Sequence, residues 1–128
     1  MHQPYEERLG RSHDFTVAYR FYTPEEGGRW NPVYQGYRSD FDYDQEIPEN
    51  KGIYMIWPEF EDEDGFVITE SETPVLAKGT ARMWIISAHT KPLHQKYVKV
   101  GTKGYFMEGN KRVAECKIIK IGSLFSNK

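Results

Sequence analysis

Phe15-Thr16-Val17-Ala18-Tyr19-Arg20-Phe21-Tyr22 is the stretch whose reading decides the fold. Phe15, Val17, Tyr19 and Phe21 recur on one side of a two-residue period, with Thr16, Ala18, Arg20 and Tyr22 on the other. Successive side chains of an extended chain point to opposite faces, so this period predicts a half-buried strand. Aromatic and β-branched residues suit a pleated surface. No segment of ten or more residues shows a convincing helical period, so strands are the expected building unit.

Immediately downstream, Pro24, Gly27, Gly28, Pro32 and Gly36 punctuate residues 23–38. Prolines and glycines at this density mark turns and close backbone approaches. The segment reads as a loop between two strands. It carries Arg29, Trp30 and Arg38, a candidate polar-aromatic recognition edge, since arginine forks suit phosphates or carboxylates and tryptophan anchors interfaces.

Working outward, further strands are expected at 33–43, with a bend at Gly36, and at 52–58, stopped by Pro58. Others fall at 80–89, at 97–107 and at 112–121, with short pieces at 65–69 and 73–76. Glu108-Gly109-Asn110-Lys111 reads as a tight hairpin turn. The acidic run 59–64 precedes Gly65. Aligning Gly65 with the glycine of a calcium loop puts Phe60 at the first ligand position and Ser71 at the bidentate one, so the calcium reading fails. The run is expected to be a solvated hairpin tip. The expected organisation is a flexible tail over 1–12, one β-barrel domain over 13–122 and a tail over 123–128. Short strands separated by turns predict an all-β sandwich or small barrel.

At 128 residues the chain has room for one core. Its formal charge of -2 means that phosphate binding would need a local patch. One cysteine, Cys116, excludes an internal disulfide and a multi-cysteine zinc site. No apolar run is long enough for a spanning helix and the first ten residues are unlike a secretory signal, so a cytoplasmic location is expected. His89 and His94 flank Thr90-Lys91-Pro92 without a third ligand at suitable spacing, and no metal is expected. Ser87 and His89 lack a nucleophile elbow, and the paired glycines lack the Gly-Lys-Ser/Thr of a phosphate loop. No catalytic residue and no cofactor are assigned.

Glu25-Glu26-Gly27-Gly28-Arg29, then Pro32, Gly36-Tyr37-Arg38 and Phe41, resembles the signature that opens the C-terminal (third) domain of translation elongation factor Tu. Lys91-Pro92 and the segment from Tyr105 to Ala114 resemble two further segments of that domain. The resemblance covers roughly residues 13–121. It implies a six-stranded antiparallel closed β-barrel of Greek-key type, without catalytic residues. It also implies contacts with partner protein domains and with the T-stem of transfer RNA. Arg29, Lys91, Glu108 and Gly109 match residues on the RNA side. The sequence departs from the pattern at Trp30, where histidine is frequent, at Ser39 for proline, at Asp40 for a polar amide, and at Met107 for arginine. A carboxylate in place of an amide repels phosphate, and Arg-to-Met removes a donor.

The expected function is that of a stand-alone, non-catalytic binding module. Its partner surface would comprise Arg29, Trp30, Arg38, Asp40, Lys91, Glu108, Gly109, Lys111 and Arg112. A protein is the expected partner, RNA is second, and neither DNA nor membrane is expected. The alternative is a protective, immunity-type protein that neutralises a toxin, with acidic residues 59–64 facing a basic partner.

Overall fold

The computed structural model describes residues 1–48 and 53–126. Asn50 and Gly52, expected in a turn and at a strand start, lie outside the described residues, as do residues 127 and 128 of the expected tail. The elements are α1 (Tyr5–Leu9), β1 (Phe15–Phe21), β2 (Asp40–Tyr43), β3 (Ile56–Phe60), β4 (Lys78–Ile85), α2 (Lys91–Tyr97), β5 (Lys103–Glu108) and β6 (Lys111–Ile121). Short 3-10 turns cover Pro24–Glu26 and Ala88–Thr90. No helix among the described residues is long and apolar enough to cross a membrane.

All six strands form one antiparallel sheet in the order β2-β5-β6-β1-β4-β3. The alternating face of β1 behaves as its sequence predicts: Phe15, Val17 and Tyr19 are buried on the inside. There they meet Phe41, Ile56, Phe60, Met83, Phe106 and Ile118. Tyr19, Phe21, Phe60 and Phe106 pack with centroids 5.2–6.3 Å apart, mostly edge to face. That geometry sets ring edges against ring faces and adds to the gain from burial.

The expected closed barrel is corrected. The sheet curls through 228° and stays open, a half-barrel. Its two edges meet at one isolated bridge, where Phe41 and Tyr54 exchange backbone hydrogen bonds of 2.8 Å each. Beyond that bridge, Pro58 has no N–H to offer, which suits an edge strand. Gln35 also takes the place of a neighbouring strand. Its amide accepts from the Phe60 N–H and donates to the Phe60 carbonyl, both at 2.8 Å. The expected strand over 33–43 is therefore shortened to Asp40–Tyr43. Gly36 (φ 100°) lies in a turn closed by a Tyr37 N–H to Tyr34 carbonyl bond. Pro58 lies within β3, opposite Met83, instead of stopping it. The short strands expected at 65–69 and 73–76 reduce to a bridge between Glu61 and Val67.

Residues 5–9, expected as part of a tail, form a helix, and Tyr5 is buried. The reason lies on the outer face of the sheet, where Trp84 needs cover. Tyr5 packs edge-on against Trp84 at 5.9 Å, and the Arg11 guanidinium lies 5.3 Å from the Trp84 ring. Beneath them, the Glu59 carboxylate meets His2 Nε2 at 2.7 Å and accepts from the Tyr5 N–H at 2.7 Å and Trp84 Nε1 at 3.1 Å. Glu59 is thus buried, and Glu61 is buried with Thr80 and Arg82 as donors. Within the acidic run, only residues 62–64 form the expected exposed tip. Leu124, in the expected C-terminal tail, is fully buried.

The strand expected at 97–107 begins only at Lys103 and runs to Glu108, and residues 91–97 form helix α2. Pro92 is tolerated in its first turn, where the missing N–H costs no intrahelical bond. The helix delivers His94 into the core, where Tyr43 Oη lies 2.7 Å from its Nδ1. His94 is fully buried, not solvent-facing, and burial lowers its pKa to about 4. A neutral imidazole is the form that low-dielectric surroundings favour.

Candidate partner-binding rim

The rim is built from the end of β1 and the β5–β6 hairpin. After β1, Thr23 and Glu26 form a capping box around the Pro24–Glu26 turn, and Arg20 grips Glu26 at 2.9 Å. Gly27 ends the turn at φ 94°, a left-handed conformation that glycine adopts without steric cost. Gly28 is required for a different reason: a Cβ there would sit 2.1 Å from the Tyr22 carbonyl oxygen. The double glycine turns the chain back so that Arg29 reaches the hairpin.

There Glu108 accepts from both the Arg29 guanidinium and the Tyr37 hydroxyl. The guanidinium also lies 5.2 Å from the Tyr37 ring centroid, within cation–π range. Partial burial pushes the Glu108 pKa up, but its bonds to Tyr37 and Arg29 outweigh this and hold it below the usual carboxylate range. The Glu108 bond in turn raises the Arg29 pKa. Burial, then Glu108, raises the Tyr37 hydroxyl's pKa. Lys111 Nζ donates to the Gly28 carbonyl at 3.3 Å, a second tie between loop and hairpin. Gly109 turns the hairpin at φ 61°.

These bonds occupy the polar groups of the rim and leave its apolar ones free. Trp30 is 84% exposed. It borders a groove of about 260 Å³ lined also by Phe21, Pro24, Pro32, Val33 and Val75. The arrangement offers a large aromatic anchor beside an apolar trough, with an internally neutralised arginine as border.

Of the residues expected to share this surface, Arg29, Trp30, Glu108, Gly109 and Lys111 come together. Arg38 does not join them; it stacks 4.3 Å from the Trp57 ring on the side covered by α1. Asp40 pairs with Met107 in the β2–β5 ladder. Arg112 lies over the Tyr105 ring at 4.0 Å. Lys91 sits 3.5 Å from the buried carboxylate of Asp14, beyond the other end of β1. The seven residues of β1 lie between Asp14 and Tyr22, a span of about 26 Å at strand rise, so Lys91 belongs to a different part of the molecule. The acidic face offered to a basic toxin shrinks to Asp62, Glu63 and Asp64, and Asp62 is itself engaged in capping its own turn.

Sequence reasoning missed Tyr37 as the second donor to Glu108, and Gln35, Asp14 and Glu59 as buried polar anchors. Only Glu59 left a signal, since Trp57, Glu59 and Glu61 continue a two-residue period through the acidic run. Among the described residues no group of three or more His, Cys, Asp or Glu side chains is placed to hold a metal ion. Burial raises the thiol pKa of Cys116. Neither a scan against protein-family models nor a search of curated proteins finds a match to this chain.

Proposed function

We propose that this chain is a non-catalytic binding module that engages a protein partner through the rim formed by residues 25–38 and 108–112. The observation that carries this reading is Trp30: a large aromatic held almost fully in solvent, beside an apolar groove, on a loop pinned by Glu108. Leaving an indole in water forgoes roughly 1.5–3 kcal/mol of burial, which a partner surface would recover. Tryptophan is also among the residues that dominate interface energetics. The resemblance to the third domain of elongation factor Tu belongs to the same proposal, since the matching loop and hairpin are the parts that form the rim. RNA is the weaker partner for this surface, because Glu108 already satisfies the Arg29 guanidinium.

The test is affinity capture from cells of the native host, comparing the wild-type chain with Trp30→Ala and with Glu108→Gln. The reading expects a defined protein partner that Trp30→Ala loses and Glu108→Gln retains weakly. Identical capture by the wild type and Trp30→Ala would remove it.

A further inference from the structure

The outer face of the sheet carries a second feature, which adjoins the rim at Tyr22 and Arg112. Arg20, Tyr22, Lys78, Lys103, Tyr105 and Lys117 border an open groove of about 510 Å³, with Ala18 as its small central residue. In register, Lys103 lies directly opposite Lys117, Lys117 opposite Ala18, and Lys78 opposite Arg20. Like charges directly opposite each other weaken a sheet. Arg20 is compensated by Glu26 and Glu115. Among the described residues nothing offers Lys78, Lys103 or Lys117 an ion pair. A chain of net charge -2 thus keeps three unpaired ammonium groups on one face, two of them in direct cross-strand opposition. Such a local conflict is expected at functional positions.

Two carboxylates also line the groove, and both are engaged. Glu115 faces Arg20 at 3.5 Å, and Asp44 accepts from the Tyr105 hydroxyl at 2.8 Å. The surplus is therefore positive. The two half-exposed tyrosines each carry an arginine over one ring face, Arg20 over Tyr22 at 5.3 Å and Arg112 over Tyr105 at 4.0 Å. Guanidinium planes as well as aromatic rings stack on unpaired bases. From β4 across β1 and β6 to β5 the cations span three strand spacings, about 14 Å. Sites for small ligands bury most of the ligand, whereas this groove lies open along the sheet. Its shape suits an extended chain.

We propose that this convex face binds a segment of single-stranded nucleic acid, with phosphates on Lys78, Lys103 and Lys117 and bases against Tyr22 and Tyr105. Cationic tracks interleaved with aromatic rings are the physical basis of sequence-tolerant single-strand binding. Duplex binding is not favoured, because paired bases present no free face to the tyrosines.

The test is fluorescence anisotropy with a labelled uridine oligomer of about ten nucleotides at about 50 mM salt. The wild type binds, and the logarithm of its affinity falls against the logarithm of salt with a slope of about -2, as expected for three phosphate contacts. Lys103→Glu/Lys117→Glu weakens binding more than tenfold, and the milder Lys103→Gln/Lys117→Gln shifts it in the same direction. Tyr22→Ala/Tyr105→Ala weakens it about fivefold or more, while Tyr22→Phe/Tyr105→Phe retains it. Trp30→Ala leaves it unchanged, which separates this binding from the Trp30 anchor of the rim. No binding at low salt would overturn the proposal, as would undiminished binding by the lysine variants. Inorganic polyphosphate or polyglutamate of equal charge competing as well as the oligomer, together with indifference to Tyr→Ala, would reduce the face to a general anion or acidic-peptide surface and also overturn it.

Discussion

Arg29 and Glu108, 79 residues apart in the chain, form an ion pair that fastens the first long loop to the last hairpin. Tyr37 shares the same carboxylate oxygen. Both ends of the pair are partly exposed, at 27% and 33%, so solvent screens it and its worth is small. Arg29→Ala and Glu108→Ala should each cost about 1 kcal/mol in urea unfolding. Their double mutant should cost less than the sum, because the coupling lies within the pair. Strict additivity would show that the pair does not hold the loop. Tyr37→Phe should lower the Glu108→Ala cost, since the tyrosine hydroxyl would no longer lose an acceptor.

The two rim glycines should respond differently. Gly27→Ala forces a Cβ-bearing residue to φ near 94° with open space around it, a strain of about 1 kcal/mol. Gly28→Ala drives a methyl group into the Tyr22 carbonyl, and the backbone must move to admit it. That should cost about 2–3 kcal/mol and detach Arg29 from Glu108. Thermal unfolding of the two variants gives the comparison. An equal loss from both would contradict the close approach at Gly28.

How much of this was legible before any coordinates depended on whether the signal was periodic. The inward face of β1 was readable because that face is apolar and buried, while Ala18 and Arg20 on the other face stay partly exposed. Helix α2 was not, because seven residues make only two turns, too few for a period to emerge, and Pro92 signals a strand end as readily as a helix start. The alternating strands predict a closed barrel, whereas the sheet stays open. Nothing local in the sequence says that the Gln35 side chain, and not a strand, will occupy the edge at Phe60. Arg29 and Glu108 were both named from their motifs, but a pairing across most of the chain has no sequence period to announce it. Lys91 was grouped with them by resemblance, while the fold carried it beyond the opposite end of β1.

Glu59 gives a third expectation. Its carboxylate gathers the Tyr5 N–H, Trp84 Nε1 and His2 into a buried node that holds the N-terminal segment over the sheet. Glu59→Ala leaves two buried N–H donors without an acceptor, a loss of about 3 kcal/mol. Because Trp84 then loses its cover, its fluorescence, read in a Trp30→Phe/Trp57→Phe background, should shift to the red and become quenchable by iodide. Removing residues 1–9 should give the same spectral change. A blue, unquenched Trp84 in the truncated chain would mean that the segment is not what covers it.

His94 sets an acid limit on stability. Its folded pKa of about 4 lies below the ordinary 6.5, because burial opposes the charged form. Between those values the unfolded chain binds a proton that the folded chain refuses, so acidification favours unfolding. The contribution is flat above pH 6.5, falls progressively below it, and its loss is nearly complete once the pH drops through about 4. The full loss is on the order of 3 kcal/mol. His13, whose pKa is lowered by burial and then by Arg82, acts in the same sense. Glu108, held below the usual carboxylate range, loses its contribution only as pH falls below about 4.5, a separate window. Urea unfolding at pH 7.5, 6, 5 and 4.5 should therefore show a decline that starts before any carboxylate titrates. His94→Gln, which keeps an acceptor for Tyr43 and has no proton to gain, should be less stable at pH 7.5 but flatter across the range. Proton NMR should find the His94 imidazole neutral at pH 5, and a His94 signal, assigned by its loss in His94→Gln, that titrates near 6.5 would refute the assignment.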